Sequence, residues 1–233
     1  MGDLWQANRQ AFQLLLSGNE ELWNIIGISF RVSLWAILIA APVALVLAFA
    51  LARLRLPGRR LVIATFHTLM ALPAVVVGLT VYMLLARNGL LGDLRWLFTQ
   101  KAMVIGQIIL CFPLLVSISH ATIHQADERV WETALTLGST RWHAMLTLMY
   151  EVRYGLIAAL IAAFGRIIAE VGSSMMVGGN IAHHTRNIPT AIALETSKGE
   201  FAQGIALGFV LLFLALVLNF ALNLVQTRGD SRP

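Results

Sequence analysis

The sequence predicts an all-α integral membrane protein, and three observations carry that prediction. Of its 233 residues, 58% are hydrophobic and 12% are charged, and the mean hydropathy is +0.75, far from the usage of soluble domains. The apolar residues are gathered into runs of membrane length, a helix needing about 20 of them to cross roughly 30 Å of hydrocarbon. Five such runs occur, at about 25–52, 61–86, 102–119, 155–177 and 201–225. Between them lie short loops and one sizeable polar segment, 121–154.

Taken in order, residues 1–21 begin M-G-D-L-W-Q, without the basic start and cleavage site of a signal peptide, and Gln6 breaks a myristoylation pattern. Leu4 to Leu16 mixes apolar residues with Gln, Asn and Arg, which predicts an interfacial helix. The first span must therefore direct insertion. With no long linker, low-complexity tract or repeat, 22–226 reads as one membrane domain and 227–233 as a cytoplasmic tail.

Arg53, Arg55, Arg59 and Arg60 crowd the turn at Pro57-Gly58 between the first two spans. Positive charge concentrates in cytoplasmic loops, so that hairpin is placed inside. Five spans then put the N-terminus, 89–100 and 178–200 outside, and 121–154 and the C-terminus inside. The other cations divide almost evenly: Arg129, Arg141, Arg153, Arg228 and Arg232 inside, against Arg9, Arg87, Arg95, Lys101, Arg186 and Lys198 outside. The first hairpin decides the orientation. Pro73 and Pro113 remove backbone donors within the second and third runs, where bends are expected.

Several functions are disfavoured. The sequence pI is 10.1, but the basic residues are spread thinly and form no patch interleaved with aromatics, which argues against nucleic acid and for headgroup-facing arginines. Cys111 is the only cysteine, so intrachain disulfides and thiolate metal sites are excluded. His120 and His124 have i, i+4 spacing but no third ligand, so no metal site is expected and they read as polar residues at the inner headgroup boundary. There is no G-x-x-x-x-G-K-[ST] and no nucleophile with a placed base, so neither nucleotide binding, nor a cofactor, nor catalysis is expected of this chain. Gly204 and Gly208 form a G-x-x-x-G, a possible close-packing face.

The polar segment predicts two short amphipathic helices. Trp131, Ala134 and Leu135 fall at i, i+3 and i+4 on the first, with Glu132 placed near its positive N-terminal end. Gly138 stands where a left-handed cap would go, and Ser139 or Thr140 can cap the second helix. There Trp142, Met145, Leu146 and Met149 recur at i, i+3, i+4 and i+7. Two readings stand: helices lying on the inner leaflet, or a lever that a partner pushes.

Within the fourth run, Arg166 and Glu170 stand four apart and share a helix face. A lone charge at mid-membrane costs roughly 2.5–3.5 kcal/mol on insertion scales, which pairing reduces. The pair is either structural or part of an anion path. Gly172, Ser173 and Ser174 follow, suited either to close helix packing or to hydroxyls facing a water-filled path. Gly178, Gly179, Asn180, His183, His184, Thr185 and Arg186 form a polar outer loop.

The E-x-A-x-x-x-G of Glu132, Ala134 and Gly138 resembles the EAA loop of ABC importer permeases, with Thr133 where the family usually has alanine. Leu148 to Glu151 reads L-M-Y-E where the family tends to carry I-x-L-P. F-G-R-I-I-A-E-V-G-S-S-M-M-V-G-G-N from Phe164, H-T-R from His184 and A-L-E-T-S-K-G from Ala193 are similar to oxyanion permeases, most of all tungstate permeases, with molybdate and sulfate permeases as relatives. The likeness runs over about 25–225.

The resemblance implies a type I ABC importer transmembrane domain of five spans, working as a pair of identical chains in the plasma (inner) membrane. It implies two cytoplasmic ATPase subunits that bind the ATP and Mg, and an extracytoplasmic oxyanion-binding protein. Glu132, Ala134, Gly138, Trp131 and Trp142 would couple to the ATPase. Arg166, Glu170, Gly172, Ser173 and Ser174 would lie at the path or gate, and Asn180, His184, Thr185 and Arg186 at the outer mouth. The rival is a channel or carrier needing no ATPase, for which inverted repeats or several intramembrane charges are expected; no repeat and few such charges are read here.

Overall fold

The computed structural model describes residues 9, 13, 17–54 and 57–230, with backbone alone for 228–230. The interfacial helix expected over 1–21 falls largely outside the described residues, as do Arg55 and 231–233 of the tail. The described residues form α1 (Glu20–Arg53), α2 (Arg59–Leu69), α3 (Ala74–Leu85), α4 (Gln100–Gln125), α5 (Glu128–Thr136), α6 (Arg141–Glu151), α7 (Arg153–Ile168), α8 (Gly172–Gly178), α9 (Ile188–Lys198) and α10 (Phe201–Asp230). A 3-10 turn, Gly92–Leu94, lies between α3 and α4, and no strand occurs among the described residues.

Among the described residues, three helices, α1, α4 and α10, are long and apolar enough to cross a membrane, and the number reaches five if two bent pairs, α2 with α3 and α6 with α7, each count as one span. The run at 61–86 is one of those pairs. α2 and α3 meet at 98°, with Pro73 as the extended N-cap of α3 at φ −65°, ψ 125°. Proline pushes its predecessor out of helical geometry and donates nothing to the ladder, so the expected bend is here a full break. Pro113 behaves differently: α4 passes through it unbroken. Pro113 is buried, so packing holds the helix together across the lost bond.

The fourth run is also interrupted. α7 has 16 residues, roughly 24 Å at 1.5 Å per residue and short of a bilayer; α8 follows after a gap at 169–171. The loop expected over 178–200 contains a helix, α9. Asn187 and Thr190 close a reciprocal capping box at its start, with proline in its first turn, a start signal that the polar look of the segment hides.

Contacts divide the chain into two compact units. Of the described residues, one comprises those up to 36 with 72–110 and 164–217, the other those of 37–71 and 111–163 and those from 218 on, with divisions inside α1, α4, α7 and α10. The first unit has a core of Leu22, Ile25 and Ile26 from α1, Ile188 and Ala191 from α9, and Ala206 and Leu207 from α10. The second has Ala48, Phe49 and Ala52 from α1, Ile123 from α4, Met145 and Leu148 from α6, and Leu156 from α7. Along α10, Leu212, Phe213, Leu216 and Phe220 stay exposed, a liability in water that hydrocarbon removes. The glycine pair in α10 makes no tight approach among the described residues: a Cβ on Gly208 would meet nothing within 4 Å, and one on Gly204 would come no nearer than 3.7 Å, to Thr196.

Candidate functional site

The polar loop folds as a helix, a glycine turn and a helix. Asp127 caps α5 by accepting from the Arg129 amide at 2.9 Å. At its other end, the Ser139 amide donates to the Ala134 carbonyl at 3.1 Å and the Gly138 amide to the Leu135 carbonyl at 3.0 Å. Those two bonds define a Schellman turn, which requires a left-handed residue at Gly138. Its φ is +85°. Thr140 then caps α6, accepting from the His143 amide at 3.3 Å.

Trp131 faces inward and meets Phe49 of α1 at 5.3 Å between ring centroids, and Ala134 is buried beside it. On α6 the expected stripe holds in part: Met145 is buried and Met149 packs partly buried on the core, but Trp142 and Leu146 are exposed, and Ala144 and Leu148 complete the buried face. Ala144 is fully buried, whereas a hydrophobicity count favours the tryptophan. Glu132 is likewise displaced from expectation: it is the fifth residue of α5, and Glu128 is the acid in the first turn. The outer surface thus shows Glu132, Leu137, Trp142, Leu146 and Tyr150.

In the other unit, Glu170 bridges the gap between α7 and α8. Its Oε2 accepts from Arg166 Nη1 at 2.8 Å, and its Oε1 accepts from the Gly172 amide at 2.8 Å. The carboxylate therefore serves as counter-ion to the end of α7 and as cap for the start of α8. Gln107 of α4 donates to the Ile167 carbonyl at 3.2 Å, satisfying a second backbone group at the break. Arg166 keeps 46% of its side chain exposed, against 8% for Glu170.

Ser173 and Ser174 are each 1% exposed. A Cβ on Gly78 of α3 would stand 2.8 Å from Ser173 Cα, and one on Gly106 of α4 would collide with Ser173 Oγ. Ser173 is thus wedged where three helices approach. Gly172 is similarly close to α3, with Val75 Cγ2 at 2.7 Å from its would-be Cβ. The hydroxyls of both serines and Gln107 Oε1 have no partner among the described residues.

The outer residues divide. Thr185 is fully buried; its hydroxyl donates to the Gly178 carbonyl at 2.6 Å and accepts from the Ile181 amide at 2.9 Å. Arg186 pairs with Glu21 of α1 at 3.2 Å. Asn180, with φ +50°, donates to the Thr190 carbonyl at 3.3 Å. The side chain of His184 is exposed, and its carbonyl accepts from Gln100 at 2.7 Å. Elsewhere, His120 and His124 stack at 5.7 Å between centroids, and no group of three potential metal ligands occurs among the described residues.

Nothing in the local sequence marks Gly78 or Gly106 for these contacts. A lone amide within the apolar run 102–119 was a usable signal for Gln107. The packing glycines carried none, because the surface that approaches them comes from elsewhere in the chain. Arg31 stands exposed inside the apolar length of α1.

No family model matches the chain. The probable anion ABC transporter permease protein of Haloferax volcanii is 39% identical over 203 residues, spanning 85% of this chain and 88% of its own. This chain belongs to the ABC transporter permeases. The permease is also 36% identical over 218 residues to the tungstate uptake system permease protein TupB of Peptoclostridium acidaminophilum, covering 94% and 96% of the two chains. The molybdenum transport system permease protein ModB of Escherichia coli is 29% identical over 188 residues, 76% and 82% of the two.

Among solved structures, a bacterial ABC transporter involved in the import of the acidic polysaccharide alginate aligns with TM-score 0.68 at 18% identity, over 93% of the permease and 82% of that chain. An amino acid ABC transporter solved with histidines aligns with TM-score 0.65 at 17% identity, over 93% and 98%. These identities speak for the fold alone.

Proposed function

We propose that this permease is the transmembrane subunit of an ATP-driven importer of tetrahedral oxyanions, tungstate first, in the plasma membrane. The tungstate uptake name of a relative aligned over 94% of the chain supports the substrate. The observation that carries the coupling role is the Gly138 Schellman turn, which fixes α5 against α6 while Leu137 and Trp142 stay exposed. A short helix pair whose inner face is anchored and whose outer face sets Leu137, Trp142 and Leu146 among charged residues such as Glu128, Glu132 and Arg141 is built to be pushed.

In this reading Glu132, Ala134, Gly138, Trp131 and Trp142 form the ATPase-coupling element, with Trp131 and Ala134 rooting it and Trp142 on the docking side. Two identical chains enclose one path. Residues 22–226 form the transmembrane domain with five spans and the N-terminal end outside, 1–21 an interfacial helix and 227–233 a cytoplasmic tail. Arg166, Glu170, Gly172, Ser173 and Ser174 belong to the gate. The half-exposed guanidinium is the member able to meet an anion, and the serines supply close packing behind it. Asn180, His184, Thr185 and Arg186 shape the outer mouth, where a binding protein delivers the anion.

ATP and Mg are held by two partner ATPase subunits. ATP binding draws the coupling helices together and opens the path outward; hydrolysis reverses the motion, an alternating-access cycle of rigid elements. Copurification of the complex from native membranes, with identification of its chains and elemental analysis of its bound anion, tests partner and substrate together. Molybdenum or sulfur in place of tungsten would reassign the substrate, and uptake that persists without any ATPase would favour a carrier.

A further inference from the structure

We propose that Arg53 is a positioning residue for ATP-driven transport, holding the hinge between α4 and α5 and so setting where the coupling loop meets its ATPase. This rests on the coupling reading above. Arg53 is the last residue of α1, and only 6% of its side chain is exposed. A cation that merely orients the chain across a membrane needs nothing from the fold and can stand among headgroups; this one is withdrawn into the protein.

Its contacts lie on both sides of one hinge. Nη2 donates to the Ile123 carbonyl at 3.1 Å, in the last turn of α4, and to the Ala126 carbonyl at 2.8 Å, in the link that follows. Nη1 stands 3.5 Å from Oε1 of Glu128, the first residue of α5. Carbonyls at a helix C-terminus lack intrahelical partners and carry the negative end of the macrodipole, so a guanidinium there meets both needs. One turn earlier on α1, Phe49 packs on Trp131 of α5. The last turn of α1 therefore grips the coupling helix at its hinge and along its body.

The grip is uneven. The carbonyl bonds are short and the side chain that makes them is buried, whereas Glu128 is 80% exposed and its contact is long. The α4 side is fixed and the α5 side yields, as a pivot requires. Two carbonyls and a carboxylate match the planar fork of arginine and not the single ammonium of lysine.

The test uses the intact complex in lipid vesicles with its binding protein, with oxyanion uptake and ATP hydrolysis measured in the same preparation. Arg53→Lys keeps the charge and hence the orientation; it is expected to lower anion imported per ATP several-fold. Glu128→Lys sets a like charge against the exposed end of the guanidinium and leaves the buried bonds in place, so it serves if Arg53→Lys does not assemble; the same drop is expected. Uptake and hydrolysis that fall in equal proportion, or an unchanged ratio, overturn the proposal. Gly138→Leu is the control. If it lowers the ratio and the hinge variants do not, the coupling reading stands and Arg53 has no positioning role. If Gly138→Leu leaves the ratio unchanged, the coupling reading fails and this inference with it.

Discussion

Arg166 reaches Glu170 at 2.8 Å, the guanidinium half-exposed and the carboxylate buried. The second carboxylate oxygen is already committed to the Gly172 amide, so the two sides of the pair are not interchangeable. Glu170→Gln keeps an acceptor for Gly172 and weakens the ion pair. Glu170→Ala loses both bonds and should cost about 3 kcal/mol, a hydrogen bond to a charged group contributing about 1.5–3 kcal/mol. The exchange Arg166→Glu with Glu170→Arg restores opposite charges but puts a donor opposite the Gly172 amide, so it should recover part of the loss and not all. Thermal unfolding of the purified permease reads this cycle. A double exchange no better than the worse single variant would count against direct pairing.

Gly138 is held by conformation and not by crowding. Its φ is +85°, and a Cβ there would meet nothing within 4 Å. Gly138→Ala should therefore destabilise the turn by about 1 kcal/mol through the left-handed backbone alone. Gly138→Asn should be milder, and Gly138→Leu no worse in steric terms than alanine. Leucine should nonetheless uncouple ATP hydrolysis from uptake, because a turn that relaxes out of the left-handed region moves α6 relative to α5. Uptake driven by ATP at the parental rate in Gly138→Leu vesicles would refute the lever reading.

Where the chain's own neighbours decide a structure, sequence reading succeeded. Apolar length located α1, α4 and α10, and the glycine with its flanking cap residues located the α5–α6 turn. Where distant surfaces decide, it did not. Trp142 carries more apolar area than Ala144, yet α6 buries the alanine and leaves the tryptophan exposed. Ser173 reads equally as a packing residue or as a hydroxyl facing a path; the approach of Gly78 and Gly106 from α3 and α4 favours packing. Arg53 contributes to a charge count that sets orientation, and nothing local reveals that carbonyls of Ile123 and Ala126 await it. At the outer mouth, Thr185 looks available for an anion but its hydroxyl is used inside the loop.

That internal use gives a clean test. Thr185→Val preserves shape and removes the hydroxyl, leaving the Gly178 carbonyl and the Ile181 amide without their partner. The bond to the Gly178 carbonyl is buried, and an unsatisfied buried group costs about 1–3 kcal/mol, so a fall in thermal stability of that order is expected. Thr185→Ser keeps the hydroxyl and should lose much less. If valine leaves stability unchanged while weakening anion uptake, the hydroxyl acts on the substrate and not on the loop.

The wedge around Ser173 separates two kinds of close approach. A Cβ on Gly78 would meet Ser173 Cα at 2.8 Å and Met176 Cβ at 3.0 Å, the first a backbone atom that cannot turn aside. A Cβ on Gly106 would strike the Ser173 hydroxyl, with the next atom, Ser173 Cβ, at 3.6 Å. Gly106→Ala should therefore be rescued by Ser173→Ala, which deletes the colliding atom and leaves ordinary contact. Gly78→Ala should not be rescued by the same change, because its clash is with the main chain of α8. Overpacking of this kind costs typically about 1–3 kcal/mol, enough to read by thermal unfolding of all five single and double variants. Equal rescue of both glycine variants would mean that α8 shifts bodily to make room, and that the break at 169–171 is soft and not a rigid elbow.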